Sequence, residues 1–117
     1  MEKLEPRFKL WLSSSRIEGV FGDGKWRLLS AIERQGSLRA ASESLHISYR
    51  KAWGDLKKAQ EGLGIALVKK ERGGRTGGQS ALTAEGKKWL ATYRMFREDI
   101  EKTIDEAFKT RFAELAK

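Results

Sequence analysis

The chain has 117 residues, with 24 Lys/Arg against 16 Asp/Glu, a formal charge of +8, one histidine and no cysteine. That length supports one domain, residues 1–117, with a modest core. Without cysteine there are no disulfides, thiolate metal sites or cysteine nucleophiles, and His46 alone makes a histidine metal cage or a Ser-His-Asp triad very hard to build.

The opening "MEKLEPRFKLWLSSS" has no long apolar run, so neither a signal peptide nor a membrane span is expected; the chain reads as soluble and cytoplasmic. Within it "RFKLWLSSS" sets Phe8, Leu10 and Leu12 against Arg7, Lys9 and Trp11 with period two, which predicts a strand. A second short strand is expected around Ile17 to Phe21, before "GVFGDG" turns the chain; residues 1–22 form this N-terminal strand or hairpin. Three helices follow over 23–64. The first runs from about Lys25 to Arg34 with Asp23 as N-cap, and places Trp26, Leu29 and Ile32, flanked by Leu28, on one face. Gly36 stops it. Ser37 caps a second helix whose apolar residues are Leu38, Ala40, Ala41 and Leu45, with Glu43 and Ser44 facing water. "HIS" makes the turn, with His46 as a turn residue, and Ser48 caps a third helix with Tyr49, Ala52, Trp53, Leu56 and Ala59 inward. Two helices across so short a turn meet the requirement of a helix-turn-helix.

Residues 65–83 read as a β-hairpin: "IALVKK" as one strand, "ERGGRTGGQS" as a glycine-rich basic loop, "SALT" as the return. From Thr83, again a cap, a last helix over 84–117 carries Leu90, Tyr93, Arg97, Ile100, Ile104, Phe108 and Phe112 (or Ala107) in one stripe, continued by Leu115. At about 1.5 Å per residue this helix outruns so small a core. The expected fold is mainly α with a small β-hairpin: a winged helix-turn-helix with a short N-terminal strand or hairpin and a long C-terminal dimerisation helix.

Charge is concentrated in the middle: residues 36–90 hold eleven Lys/Arg against five Asp/Glu, whereas residues 91–117 balance at six and six. A localised basic field attracts polyanions. An α-helix fits the major groove of DNA, and its first turn reaches base edges most easily. Ser48, Tyr49, Arg50 and Lys51 occupy that turn of the recognition helix, residues 48–61. Arg50 has the planar fork for guanine O6 and N7, while Lys51, Lys57 and Lys58 suit phosphates. Ser37 and Arg39 at the second helix, and Arg72, Arg75 and Thr76 in the hairpin loop, complete the candidate DNA-facing set. The loop is no P-loop, because Gln79 and Ser80 follow its last glycine and lead into a strand. Carboxylates are scattered without an acid-base pair, so no enzyme, metal or cofactor site is expected. Taken singly, each basic run is also what an ordinary solvated face looks like.

"FKLWL", "FGDGKWRLLSAIERQGSL", "ISYRKAW", "LGIALV" and "GGRTGGQSALTAEG" with the following Tyr93 span residues 8–93. Together they resemble the N-terminal DNA-binding region of LysR-type regulators, and more closely the ModE type, the molybdate-responsive regulators. The resemblance implies a winged-helix domain that dimerises through helices outside the reader and binds a palindromic operator. It places Ser48, Tyr49, Arg50 and Lys51 at the DNA and Arg72 and Arg75, in the wing over 72–79, on the backbone. It also implies that molybdate acts through a separate C-terminal domain, so no molybdate site is expected within this chain.

The expectation is therefore a homodimeric, sequence-specific transcriptional regulator on double-stranded DNA, with Trp11, Leu90, Tyr93, Arg97, Ile100, Ile104, Phe108 and Phe112 at the dimer interface. Two other uses of the same residues remain open. One is a non-specific architectural DNA-binding protein; the other is a winged-helix protein-interaction module.

Overall fold

Three hydroxyl side chains start three of the four helices, each accepting an amide hydrogen bond that a first turn otherwise leaves unmade. The computed structural model describes residues 2–71 and 78–116. The elements are β1 (Trp11–Leu12), β2 (Phe21–Gly22), α1 (Asp23–Gln35), α2 (Leu38–Ser44), α3 (Tyr49–Leu63), β3 (Val68–Lys70), β4 (Ser80–Leu82) and α4 (Ala84–Ala113), which tightens into a 3-10 turn over Glu114–Ala116. Ser37 Oγ accepts from the Ala40 amide at 3.0 Å, Ser48 Oγ from Lys51 at 3.0 Å, and Thr83 Oγ1 from Gly86 at 2.8 Å. Gly36 and Gly64 end α1 and α3 at φ 81° and 71°, the left-handed region that glycine enters without penalty.

Asp23 departs from its expected role. Helix α1 begins at Asp23 itself, and Gly22 holds the N-cap position without a side-chain bond. The carboxylate turns inward instead. Its Oδ2 accepts from the Leu10 amide at 3.1 Å and its Oδ1 from the Tyr93 hydroxyl at 2.8 Å and Arg97 Nε at 3.0 Å. Arg97 Nη2 reaches Oδ2 at 3.3 Å, closing a two-pronged ion pair. Burial pushes the carboxyl up, but the bonds from Arg97, Tyr93 and Leu10 outweigh it and hold Asp23 below its usual range. Burial, and then the Asp23 carboxylate, push the Tyr93 phenol above its usual range. One carboxylate thereby fastens the N-terminal segment, α1 and α4 together.

The N-terminal hairpin is shorter and later than expected. Strands β1 and β2 pair antiparallel, Trp11 opposite Gly22 and Leu12 opposite Phe21. Ile17 lies in a turn rather than a strand, because Ser14 Oγ accepts its amide at 2.9 Å and Ser13 Oγ accepts that of Gly19 at 2.9 Å. Phe21 is fully buried and meets Trp89 and Tyr93 edge-on, with ring centroids 5.4 and 4.9 Å apart. Each such pair adds about 0.5–1.5 kcal/mol beyond the area it buries.

The core is closed by Leu28, Leu29 and Ile32 of α1, Ala41 of α2, and Ala52 and Leu56 of α3, together with Leu67, Leu82 and Leu90. Leu90 and Tyr93 are each 2 % exposed and Arg97 is engaged with Asp23. These three expected interface residues therefore serve the chain's own interior, because the first half of α4 lies over the core. From Ile100 onward the stripe has no core beneath it: Ile100, Ile104 and Phe108 are half-buried and Phe112 is exposed. Phe108 and Phe112 stack with centroids 4.7 Å apart. The projecting helix gives the molecule its 63 Å long axis.

Strands β3 and β4 pair antiparallel, Val68 opposite Leu82, Lys69 opposite Ala81 and Lys70 opposite Ser80. The first wing strand starts at Val68 rather than Ile65, because the Leu67 and Val68 amides are taken by Gln60 Oε1 at 2.9 and 3.2 Å. Among the described residues, no helix is long and apolar enough to cross a membrane.

Candidate nucleic-acid interface

Between α2 and α3 the chain reverses through His46, whose φ of 57° confirms it as a turn residue. The His46 amide donates to Glu43 O at 3.1 Å and the Ile47 amide to Ser42 O at 3.0 Å, so the backbone itself holds the turn. Two helices of 7 and 15 residues are thus locked in a helix-turn-helix.

Helix α3 has a narrow inward stripe. Ala52, Leu56 and Ala59 are buried, and at 3.6 residues per turn the side directly opposite carries Arg50, Gly54, Lys57 and, near the C-terminal end, Glu61, all exposed. Lys51 and Lys58 are exposed on one flank. Lys51 pairs with Asp55 one turn on, at 3.0 Å; such a surface pair contributes only about 0.3–0.5 kcal/mol. Tyr49 and Trp53, expected inward, lie on the opposite flank and are 42 % and 49 % exposed. Both line the open groove between α3 and the wing, where no element packs over them.

Ser37 and Ser48 each accept at their caps through Oγ, and neither hydroxyl donates a hydrogen bond among the described residues. The Arg39 guanidinium lies 4.5 Å above the Tyr49 ring, which joins the two helices across the turn and leaves Arg39 exposed. The groove between α3 and the wing is floored by Tyr49, Trp53 and Gln60 and walled by Lys69, Lys70 and Gln79. The wing is anchored at its base, where the Ser80 amide donates to Gly36 O at 2.8 Å and the Glu71 amide to Gln79 O at 2.9 Å. Arg72, Arg75 and Thr76 lie outside the described residues.

The structure therefore brings Ser37, Arg39, Ser48, Tyr49, Arg50, Lys51, Lys57 and Lys58 onto one surface, beside a wing whose base adds Lys69 and Lys70. Sequence reasoning missed Trp53, Gln60, Lys69 and Lys70 as parts of it. The two lysines were visible as the polar end of "VKK"; Gln60 had a weaker signal, a polar residue on the shoulder of an apolar stripe.

Residues 24–87 match the family of bacterial regulatory helix-turn-helix proteins of lysR type. The chain belongs to this family. The matched stretch covers the helix-turn-helix and reaches into the start of α4. Among curated LysR-like relatives, it is 35 % identical over 86 residues to the molybdenum transport protein ModE of Azotobacter vinelandii, covering 74 % of this chain and 32 % of that one. It is 32 % identical over 82 residues to the transcriptional regulator ModE of Haemophilus influenzae, covering 70 % and 31 %. It also matches the molybdenum-pterin-binding protein MopB of Rhodobacter capsulatus, 32 % identical over 95 residues, 81 % of this chain and 35 % of that one. The chain spans about a third of the length of these relatives. The fold is that of the CbnR_DBD–DNA complex, with a TM-score of 0.60 at 24 % identity over 74 % of this chain and 94 % of that one. The BenM_DBD/benA site 1 DNA complex gives 0.55 at 22 % identity, over 77 % and 93 %.

Proposed function

We propose that this chain regulates transcription by reading a specific DNA sequence, with α3 in the major groove, Arg50 on a guanine edge, and Lys51, Lys57 and Lys58 on phosphates. The observation that carries the reading is the exposed stripe of Arg50, Gly54 and Lys57 on a helix held at its start by Ser48 and at its end by Gln60. Gly54 adds to it. A side chain built there meets nothing within 4 Å, so the chain's own packing does not require a mid-helix glycine that costs about 0.5–1 kcal/mol. In this reading the bare backbone at Gly54 admits a close approach from the DNA. Ser37, Arg39, Tyr49 and the wing residues Arg72, Arg75 and Thr76 line the flanking backbone in this reading.

The regulator acts as a homodimer on a palindromic operator. The stripe of Ile100, Ile104, Phe108 and Phe112 on the projecting half of α4, with Trp11 exposed at β1, supplies the pairing surface. Two reading helices then meet half-sites one or more turns of DNA apart. Under the same reading no molybdate site lies within residues 1–117.

Fluorescence anisotropy against the protein's own upstream region and a shuffled duplex, across a salt series, tests the proposal. A preference of about a thousandfold or more at physiological salt is expected. Equal binding that falls steeply with salt would instead make the protein an architectural DNA coat, and no binding to either would favour a protein-interaction module.

A further inference from the structure

A helix seated in a major groove has a phosphate ridge on each side, one from each strand. Around α3 the structure offers two channels, not one. On the flank of Tyr49, Trp53 and Gln60 lies the groove shared with the wing. On the flank of Lys51 and Asp55 lies a second cleft of about 920 Å³, open to solvent, whose far wall is the N-terminal hairpin and the first turn of α1.

This second cleft is rich in cations. Lys51 is matched by Asp55 and Arg97 by Asp23, but Lys9, Lys25 and Arg27, which also line it, have no carboxylate partner among the described residues. Lys9 and Arg27 are exposed, while Lys25 is half-buried, its Nζ donating to Gly19 O at 3.0 Å. Burial pulls the Lys25 ammonium below the usual lysine range, opposed by Asp55 and reinforced by Lys58 and Lys51. Cations from the N-terminal segment, α1, α3 and α4 crowd one channel whose internal anions are already committed. Lys25 and Arg27 lie within the stretch that matches the lysR family, residues 24–87, whereas Lys9 lies outside it.

We propose that the cleft seats the phosphate backbone of the DNA strand on the side of α3 away from the wing, through Lys9, Lys25 and Arg27, so that one copy of the chain grips both walls of the groove. The inference rests on the reading that α3 enters the major groove. It assigns the N-terminal hairpin a part in DNA binding in addition to its packing role.

The test compares the wild-type chain with Lys9→Gln/Lys25→Gln on a mixed-sequence duplex and on a duplex enriched from a random pool. Each lost phosphate contact makes the plot of log affinity against log salt shallower by about 0.9, so the double variant should lose between one and two units of slope, with its sequence preference kept. Ethylation interference on the enriched duplex should show blocking phosphates on both strands within each half-site for wild type, and weakened blocking on one strand of each half-site for the variant. Lys9→Gln alone, at an exposed position, gives the same readout with one contact removed should the double variant prove unfolded by circular dichroism. Unchanged slopes and an unchanged interference pattern would overturn the proposal; a concurrent effect of Arg50→Ala on sequence preference would show that the groove reading survives it. Failure of wild type to bind any duplex would overturn both.

Discussion

Replacing Asp23 by alanine removes the acceptor that joins three parts of the chain. The Asp23 and Arg97 side chains are only 9 % and 20 % exposed, so solvent screens their interaction little. Truncating one member of a buried pair costs about 3–5 kcal/mol, mainly because the other charge is left without its partner. Arg97 keeps an edge to water and a contact with Glu101 at 3.9 Å, which places the loss at the lower end, about 3 kcal/mol. For a chain of this size that corresponds to a fall in Tm on the order of 10 °C. Urea denaturation followed by tryptophan fluorescence reads it, since Trp26 and Trp89 pack against the core. In an Arg97→Met background the same substitution should cost clearly less, because the stranded charge is gone. The pH dependence has a definite sign. The folded pKa of Asp23 lies below its ordinary value of 3.8, so the unfolded chain takes up its proton first as the pH falls. The stability from this group is complete above about pH 5 and drains away as the pH drops through 3.8 and on through the folded value. Asp23→Ala should remove that part of the acid dependence. A loss below about 1 kcal/mol, or an acid profile identical to wild type, would refute the assignment of Asp23 as the central tie.

Tyr93 has the opposite pH signature: its phenol is raised above 10.0, so its contribution is complete below pH 10 and declines at higher pH, and Tyr93→Phe should flatten the alkaline limb of the stability curve. Gln60→Leu strands the Leu67 and Val68 amides and should cost about 1–3 kcal/mol; hydrogen exchange at those two amides should speed up, and Gln60→Glu, which keeps the acceptor, should do less damage. Ile104→Glu with Phe108→Glu leaves the core untouched and should convert the protein to monomers in sedimentation velocity; a persistent dimer would place the interface elsewhere.

Much of the fold was legible because it is written in local chemistry. Ser37, Ser48, Thr83 and Gly36 act within a few residues of themselves, and each does what its position in the sequence indicates. Asp23 was misread for the opposite reason: its Tyr93 and Arg97 partners lie 70 and 74 residues away, and no capping rule sees them. The aromatics of α3 were misread because Tyr49 and Trp53 sit on the shoulder of the helix, where period alone does not separate core from surface. Leu90 and Tyr93 fit the stripe of α4 as well as Ile104 does. Only the position of the core along the helix tells which part of the stripe is already covered. The exposed position of Arg50 and Lys51 was legible, since a basic first turn after a serine cap is a local pattern, whereas the N-terminal wall of the second cleft depends on how the hairpin folds back.

The most direct test of the central claim compares Arg50→Ala and Lys57→Ala on an enriched duplex and on random duplex. Arg50→Ala should lose roughly 1–3 kcal/mol on the enriched duplex and relax preference at one base position, while Lys57→Ala should weaken both duplexes evenly and lower the salt slope by about one. An equal loss for Arg50→Ala on both duplexes would contradict base reading by α3.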